Sequence, residues 1–308
     1  MTTLNGILPV WKPANVTSHD VVAKVRRLAQ QKRVGHTGTL DPAVEGVLPL
    51  CLGQATRVVE YVQQLAKTYE GTMTLGIATD TQDQEGQELE RAAVGDVSEQ
   101  DIRRVFRQFT GEITQTPPMF SAVKVDGRRL YDLAREGKVV ERKARTVRIE
   151  RLELLAMRAG AFPEVDFSVT CSKGTYVRTL CVDMGAALGY PAHMSRLVRV
   201  QSGPFCAEQC VTLAQLEETP REKWGERWLF PLEAGVAHFP AYTIAASDAR
   251  RVANGMPLQL TSGSETKPEA VSPGTLVRIY VGDTFRALYL TDATGKQAKA
   301  VKVFAENR

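Results

Sequence analysis

The chain has 308 residues, 43% of them hydrophobic and 24% charged, and a formal net charge of +4. It is too long for one average domain and too apolar for a disordered chain, so two folded domains are expected. It holds no apolar run of about 18 residues, and its opening "MTTLNGILPVWKP" lacks a secretory leader's basic start and apolar core, which points to the cytoplasm.

Taken in chain order, Thr17-Ser18-His19-Asp20 opens a helix: Thr17 caps it and Asp20 sits against the N-terminal dipole. Val21, Val22, Val25 and Leu28 then recur at helical spacing, with basic residues on the other face. The loop "GHTGTLDP" follows, from Gly35 to Pro42, and "GVLPLCLGQATRVVEYVQQL" reads as a short apolar run and then a helix. In "KTYEGTMTLGIATDT", Tyr69, Met73, Leu75 and Ile77 alternate with Thr68, Glu70, Thr72 and Thr74, the period of a half-buried strand. After the polar loop "DTQDQEGQELE", Ile102, Val105, Phe106 and Phe109 mark a helix that starts from Ser98 and ends at Gly111.

The Pro117-Pro118 pair excludes regular structure; Val123, Val125, an Asp126-Gly127 turn and a basic helix come next. "TVRIERLELLAM" and "EVDFSVTCSKGTYVRTL" are both strand-like. The second points Val165, Phe167, Val169 and Cys171 inward, turns at Lys173-Gly174, and enters a helix that Gly189 and Pro191 stop. Beyond about residue 235 the texture changes to a short helix in "YTIAASDARRVANGMPL", the loop "TSGSETKPEAVSPG", and three short strands in "TLVRIYVG", "TFRALYLTD" and "KAVKVFA". This reads as a small, mostly β module of about 70 residues.

Basic residues cluster at Lys24, Arg26, Arg27, Lys32 and Arg33, at Arg142, Lys143, Arg145, Arg148 and Arg151, at Arg196 and Arg199, and at Lys296, Lys299 and Lys302. Each cluster alone is an ordinary solvated face, but several on one mildly basic chain suit a polyanion, nucleic acid first. The five cysteines are odd in number and scattered, which is no disulfide framework, and neither they nor the four histidines fall at zinc-ligand spacing, so no metal site is expected.

The "GHTGTLDP" loop sets one carboxylate, Asp41, among glycines and hydroxyls. The residue before proline avoids the α region, and Gly35, Gly38 and Gly46 let another molecule approach the backbone. A carboxylate held this way can be a nucleophile, a general base or a ligand for a sugar hydroxyl; equally, it can simply stabilise a turn. The loop lacks the Lys-Ser/Thr pair of a phosphate loop and has no acidic partner in a comparable setting, as a two-carboxylate glycosidase would. Tyr69 reads as a core tyrosine or a stacking platform for a base, and Tyr176 and Arg178 follow Gly174 at a strand-to-helix junction.

In order along the chain stand "GILPVWKPANVTSHDVVAKVRR", "GHTGTLDPAVE", "GVLPLCLGQATRVVEY", "KTYEGTMTLGIATDTQDQEG", "PPMFSAVKVDGRRLYDLAREG", "CSKGTYVRTLCVDMGAALG" and "HMSRLVRVQSGPF". The series resembles the bacterial tRNA pseudouridine synthase B (TruB) family over residues 6 to about 205, and the C-terminal piece resembles the PUA module that often follows. The resemblance implies that Asp41 is catalytic, that Tyr69 stacks on the target base, that Tyr176 and Arg178 line the pocket with Arg178 paired to Asp41, and that Leu197 packs on the base. It further implies that His36 contacts the RNA loop, that Asp83 helps hold flipped nucleotides, and that Arg57 is a basic contact where the family often has lysine. Asn15 replaces a usual glycine, which a turn tolerates.

The implied fold is α+β: a mixed, mainly antiparallel central sheet flanked by helices over residues 1–235, with an RNA-gripping insertion at about 117–148, and a β-barrel-like PUA domain over 236–308. The implied substrate is uridine 55 in the TΨC arm of tRNA, acted on without cofactor, metal or protein partner by a cytoplasmic monomer. Rival readings are an RNA-binding or RNA-folding protein that does no chemistry, a hydrolase using Asp41 on a nucleoside, and a relative acting on rRNA or guided by a partner RNA.

Overall fold

The computed structural model describes residues 3–121, 123–125, 127–138, 140–260 and 271–304. The first half runs β1 (Gly6–Lys12), α1 (Ser18–Leu28), β2 (Val34–His36), β3 (Glu45–Leu52), α2 (Val59–Gln64), β4 (Lys67–Leu75), β5 (Ile77–Thr79), β6 (Glu88–Arg91), α3 (Glu99–Gln108) and β7 (Gly111–Gln115). It continues through β8 (Lys124–Val125), β9 (Arg128–Arg129), α4 (Leu130–Arg135), β10 (Arg145–Arg158), β11 (Glu164–Cys171), α5 (Val177–Leu188), β12 (Ala192–Ser202) and β13 (Phe205–Cys206). The remainder is α6 (Leu213–Glu218), α7 (Trp224–Arg227), β14 (Ala241–Ile244), α8 (Ala249–Ala253), β15 (Leu258–Gln259), β16 (Leu276–Val281), β17 (Thr284–Thr291) and β18 (Gln297–Val303).

The main sheet is ordered β1-β3-β12-β4-β11-β10-β7, with β2 added to β3 and β13 to β12. Every pairing in it is antiparallel except β12 with β3. The expectation of a mixed, mainly antiparallel α+β sheet holds. Local signals account for its helices: Thr17 and Asp20 form a reciprocal cap on α1, Ser98 and Asp101 do the same for α3, and left-handed Gly189 ends α5. Asn15 takes φ +62° in the turn before α1, a left-handed angle that asparagine tolerates.

Strand β4 corrects one expectation. It is central, so its threonine face is covered as well: Thr72 and Thr74 are buried, donating to Asp166 Oδ1 at 2.7 Å and Ser195 Oγ at 2.8 Å. Ile77 leaves that strand for the separate β5–β6 hairpin. Strand β11 keeps the simple alternation, with Val165, Phe167, Val169 and Cys171 all buried. Under α3 and α5 these side chains join Met73, Leu75, Ile102, Phe106, Leu180 and Met184 in one core cluster.

The C-terminal unit is an open five-stranded sheet, β14-β16-β17-β18-β15. Two corrections follow. "YTI", expected within a helix, is strand β14, paired in parallel with β16, and the helix begins only at Ala249. The β-barrel-like module expected here is an open half-barrel among the described residues, because no pairing joins the edge strands β14 and β15. Asp126 of the expected Asp-Gly turn and residues 261–270 of the expected loop lie outside the described residues. The unit is packed on the first through shared apolar contacts: Phe285, Leu288 and Phe304 belong to the same buried cluster as Ile7, Val47, Val58, Val62 and Phe205. Among the described residues no helix is long and apolar enough to cross a membrane.

Candidate active site

Three neighbouring strands set the site. Gly46 of β3, Arg199 of β12 and Tyr69 of β4 stand in one row, Arg199 paired with both. The parallel contact is so close that a methyl group on Gly46 would lie 2.2 Å from the Arg199 carbonyl oxygen, and Gly46 takes φ +124°. Only glycine fits there. This approach brings the chain just before β3, the loop carrying Asp41, over the end of β4.

The loop is held by buried polar groups on two sides. Ser18 Oγ accepts from Leu40 N at 2.9 Å and donates to Leu40 O at 3.2 Å. Lys12, fully buried, donates to the carbonyls of Pro13, Val16 and Pro42 at 2.6–3.0 Å. Arg199, also buried, donates to Val47 O at 2.7 Å, Gly38 O at 3.2 Å and Thr39 O at 3.4 Å. The two cations thus fasten the loop before and after Asp41. Burial, more than the opposing pull of Asp41, lowers the Lys12 ammonium to about 8.

Arg178 enters from the start of α5. Its guanidinium is buried and reaches four acceptors: Thr81 O at 2.7 Å, Phe120 O at 2.9 Å, Asp41 Oδ2 at 3.1 Å and Asp83 Oδ2 at 3.5 Å. Asp83 is in turn fixed by the Thr81 hydroxyl at 2.5 Å and the Glu85 amide at 3.1 Å. The Asp41 side chain keeps 50% of its surface open, against 7% for Arg178. A planar, permanently charged fork suits this junction better than an ammonium, because its donors are fixed in direction.

Asp41, Leu40, Val44, Tyr69, Tyr176, Arg178 and Leu197 line one cavity of about 180 Å³. Tyr69 is half-buried, and burial raises its phenol, with Arg199 pulling the other way, so the hydroxyl stays protonated at neutral pH. Tyr176 is held by a reciprocal pair: its amide donates to Gln115 Oε1 at 3.0 Å and its carbonyl accepts from Gln115 Nε2 at 3.2 Å. Arrayed so, an open carboxylate meets two aromatic rings and an apolar wall, a setting for a flat ring and a sugar.

Five of the eight residues singled out from the sequence therefore share this cavity: Asp41, Tyr69, Tyr176, Arg178 and Leu197. Asp83 touches it through Arg178. His36 ends β2 outside the cavity lining, accepting from Gly38 N at 3.3 Å, and burial pulls its imidazole pKa down. Arg57 is not brought there: it donates to Val303 O and lies over the Phe304 ring, 5.3 Å from its centroid, in the junction with the C-terminal unit.

The basic clusters are only partly free for a polyanion. Lys24 pairs with Glu217 at 3.0 Å, Arg26 donates to Val34 O, Lys302 pairs with Glu60 at 2.9 Å, and Arg199 is buried. Lys12 and the structural use of Arg199 and Gln115 escaped the sequence reading. No local signal marks a lysine or arginine as buried when its acceptors lie far away in the chain. Among the described residues no group of three His, Cys, Asp or Glu side chains could hold a metal ion.

Comparison with known proteins fits this geometry. The TruB family pseudouridylate synthase (N terminal domain) matches residues 26–177, and the tRNA pseudouridylate synthase B C-terminal domain matches residues 178–237. The chain is 51% identical to a tRNA pseudouridine synthase B of Geobacillus kaustophilus (strain HTA426) over 261 residues, 83% of this chain and 92% of that one. It is 44% identical to the tRNA pseudouridine synthase B of Bacillus subtilis (strain 168) over 287 residues, 90% of this chain and 93% of that one. Among solved structures, an H/ACA RNP bound to a substrate RNA containing 2'-deoxyuridine superposes with a TM-score of 0.76 at 29% identity, covering 98% of this chain and 86% of that one. A Cbf5-Nop10-Gar1 complex gives 0.75 at 31% identity over 98% and 85%. On these matches, the chain belongs to the TruB family of pseudouridine synthases.

Proposed function

We infer that the protein converts uridine to pseudouridine in tRNA, at position 55 of the TΨC arm. The observation that carries the reading is the ion pair of a half-open Asp41 carboxylate with a buried Arg178, in a cavity walled by Tyr69, Tyr176 and Leu197. The reaction breaks the N1–C1′ bond, turns the uracil and rejoins it to C1′ through C5; N1 gains a proton and C5 gives one up. Nothing is oxidised or reduced and no group is carried away, so the balance closes on the substrate alone.

The base must leave its stack to reach Asp41. Tyr69 and Tyr176 offer it rings, and Leu197 an apolar contact. The ionised carboxylate then assists departure of uracil by attack on C1′, by taking a proton from the sugar, or by attack on the base. Arg178 orients that carboxylate, and Asp83 and two carbonyls orient Arg178. In this reading His36 contacts the RNA loop and Asp83 borders the flipped nucleotides. Residues 117–148 close over the RNA, and residues 236–308 act as a PUA-like grip on the stem or acceptor end, with Lys296 and Lys299 facing phosphate. Arg57 serves that grip indirectly, through its bond to Val303. The enzyme works in the cytoplasm as a monomer.

The test is an unmodified tRNA transcript incubated with the protein and mapped for pseudouridine by carbodiimide adduct and reverse-transcription stop. The expected result is one new stop, at position 55. Binding without a stop favours an RNA-binding protein, and release of free uracil favours a hydrolase.

A further inference from the structure

A second cavity, of about 350 Å³, adjoins the one that holds Asp41: Thr39, Tyr69, Thr175 and Tyr176 line both. Its wall differs in kind. It carries four cations, Lys67, Arg145, Lys173 and Arg199, and no carboxylate. Arg199 is held in place by three carbonyls, and the other three cations have donors to spare. Lys67 Nζ donates to Gln63 O and Leu65 O, both at 2.6 Å, which uses two of an ammonium's three hydrogens. Arg145 lies over the Tyr176 ring, 4.7 Å from its centroid, and its Nε is buried with no hydrogen-bond partner among the described residues. Lys173 is exposed at the rim, in the turn before α5. None of these three has an acidic side chain within 4.0 Å among the described residues.

Gathering like charges without a counter-ion is costly, and Lys67 records the cost: burial first, then repulsion from Arg199, lowers its ammonium from 10.5 to about 8. A buried guanidinium donor with nothing to bind adds a desolvation penalty. An anion placed among them would answer both. The Ser172 hydroxyl, on the same wall, accepts from Arg148 N and keeps its own hydrogen free to donate to such an anion. Gly174, at φ +82°, keeps the turn open beside the guanidinium: a side chain there would begin 3.6 Å from Arg145 Cζ.

We propose that this second cavity is a phosphate subsite, and that it receives the backbone phosphodiester next to the nucleotide whose base enters the Asp41 cavity. The inference rests on the functional reading above. Two shared tyrosines separate the cavities, so one nucleotide can present its base to the first and its linkage to the second. Arg145 then acts twice, stacking on Tyr176 and binding the phosphate, and so couples grip on the backbone to the ring that faces the base.

The test pairs the full-length protein with an RNA stem-loop containing the target uridine, in which a single neutral methylphosphonate replaces the linkage on one side of that uridine or the other. Dissociation constants are measured for wild type, Lys173→Ala and Arg145→Gln at one salt concentration. One of the two neutral linkages is expected to weaken wild-type binding by about tenfold, as loss of a charge-assisted contact does, and to weaken the Lys173→Ala complex by less than about twofold. Lys173 is exposed, so that variant keeps the test alive if Arg145→Gln does not fold. Equal losses in wild type and variants, or no loss at either linkage, overturn the proposal. So does competition by inorganic phosphate that needs Lys173 while both neutral RNAs bind normally, which would assign the cavity to a free anion. Pseudouridine is assayed in the same samples with the parent RNA. Conversion without coupling to a linkage removes the subsite alone, whereas no conversion by wild type removes the functional reading and the substrate named here.

Discussion

Arg178 Nη2 lies 3.1 Å from Asp41 Oδ2, with the arginine buried and the aspartate half open. The same guanidinium is tied to Thr81 O, Phe120 O and Asp83, so its position is fixed by three groups besides Asp41. Lysine in its place is a point charge with one nitrogen and cannot span these acceptors. Arg178→Lys should lower the single-turnover rate by about a hundredfold or more, as misplacement of a reacting group does, while RNA affinity changes by less than about threefold. Rapid-quench kinetics beside filter binding separates the two. A loss confined to binding would contradict the positioning role.

Tyr69 supplies a ring and a hydroxyl that burial keeps protonated. Tyr69→Phe should therefore leave RNA binding within about twofold and lower turnover, whereas Tyr69→Ala should lose about 1–3 kcal/mol of binding with the stack. Titration of binding and product formation for both variants checks the division of labour.

Lys12 gives the enzyme an alkaline limit. As an ammonium it has three hydrogens for three carbonyls; as an amine it has two, and one of Pro13, Val16 and Pro42 goes unmet. Activity should fall as pH passes about 8, where this lysine loses its proton. Global stability should move the other way. The folded-state value lies below the ordinary 10.5, so between about 8 and 10.5 the unfolded chain holds more protons, and this group's contribution rises with pH. Lys67 titrates in the same range but faces the RNA backbone. Lys12→Met should therefore remove the limb near 8 from the single-turnover rate at saturating RNA and leave any limb in binding, read from pH–rate profiles beside urea melts at each pH.

Gly46→Ala puts a methyl group 2.2 Å from Arg199 O and 2.7 Å from Arg199 N, both backbone atoms of a central strand. No rotamer change relieves that contact, and the φ of +124° adds strain. The expected loss is at least about 3 kcal/mol, read as a lower Tm in calorimetry. Gly127, with nothing within 4 Å of an added methyl, is the control that should change little beyond its left-handed φ.

What could be read from the sequence depended on how far each signal reaches. The α1 and α3 caps involve residues three apart, and β11 buries every second side chain, so both kinds of element declare themselves locally. Strand β12 does not. It is covered on both faces, breaks register at Met194/Arg196 and Arg199/Gln201, and carries a fully buried arginine, so "AHMSRLVRVQS" shows no clean period. The Asp41 loop stood out by its glycines and its single carboxylate, and its meeting with Tyr69, Tyr176, Arg178 and Leu197 followed from the family resemblance rather than from spacing. Arg199 looked like surface charge because the carbonyls that neutralise it lie about 160 residues earlier in the chain. Arg57 is expected at the RNA from the family resemblance alone, and its bond to Val303, 246 residues away, has no local signal either.

The central claim is that Asp41 does the chemistry on uridine. The most direct measurement follows tritium release from a tRNA transcript carrying 5-tritiated uridine, with wild type beside Asp41→Asn, a change that keeps shape and removes charge. Wild type should release one tritium per transcript and Asp41→Asn none, with both binding the RNA equally. Equal release by the two proteins would contradict the role given to Asp41, and no release by either would contradict the isomerisation itself.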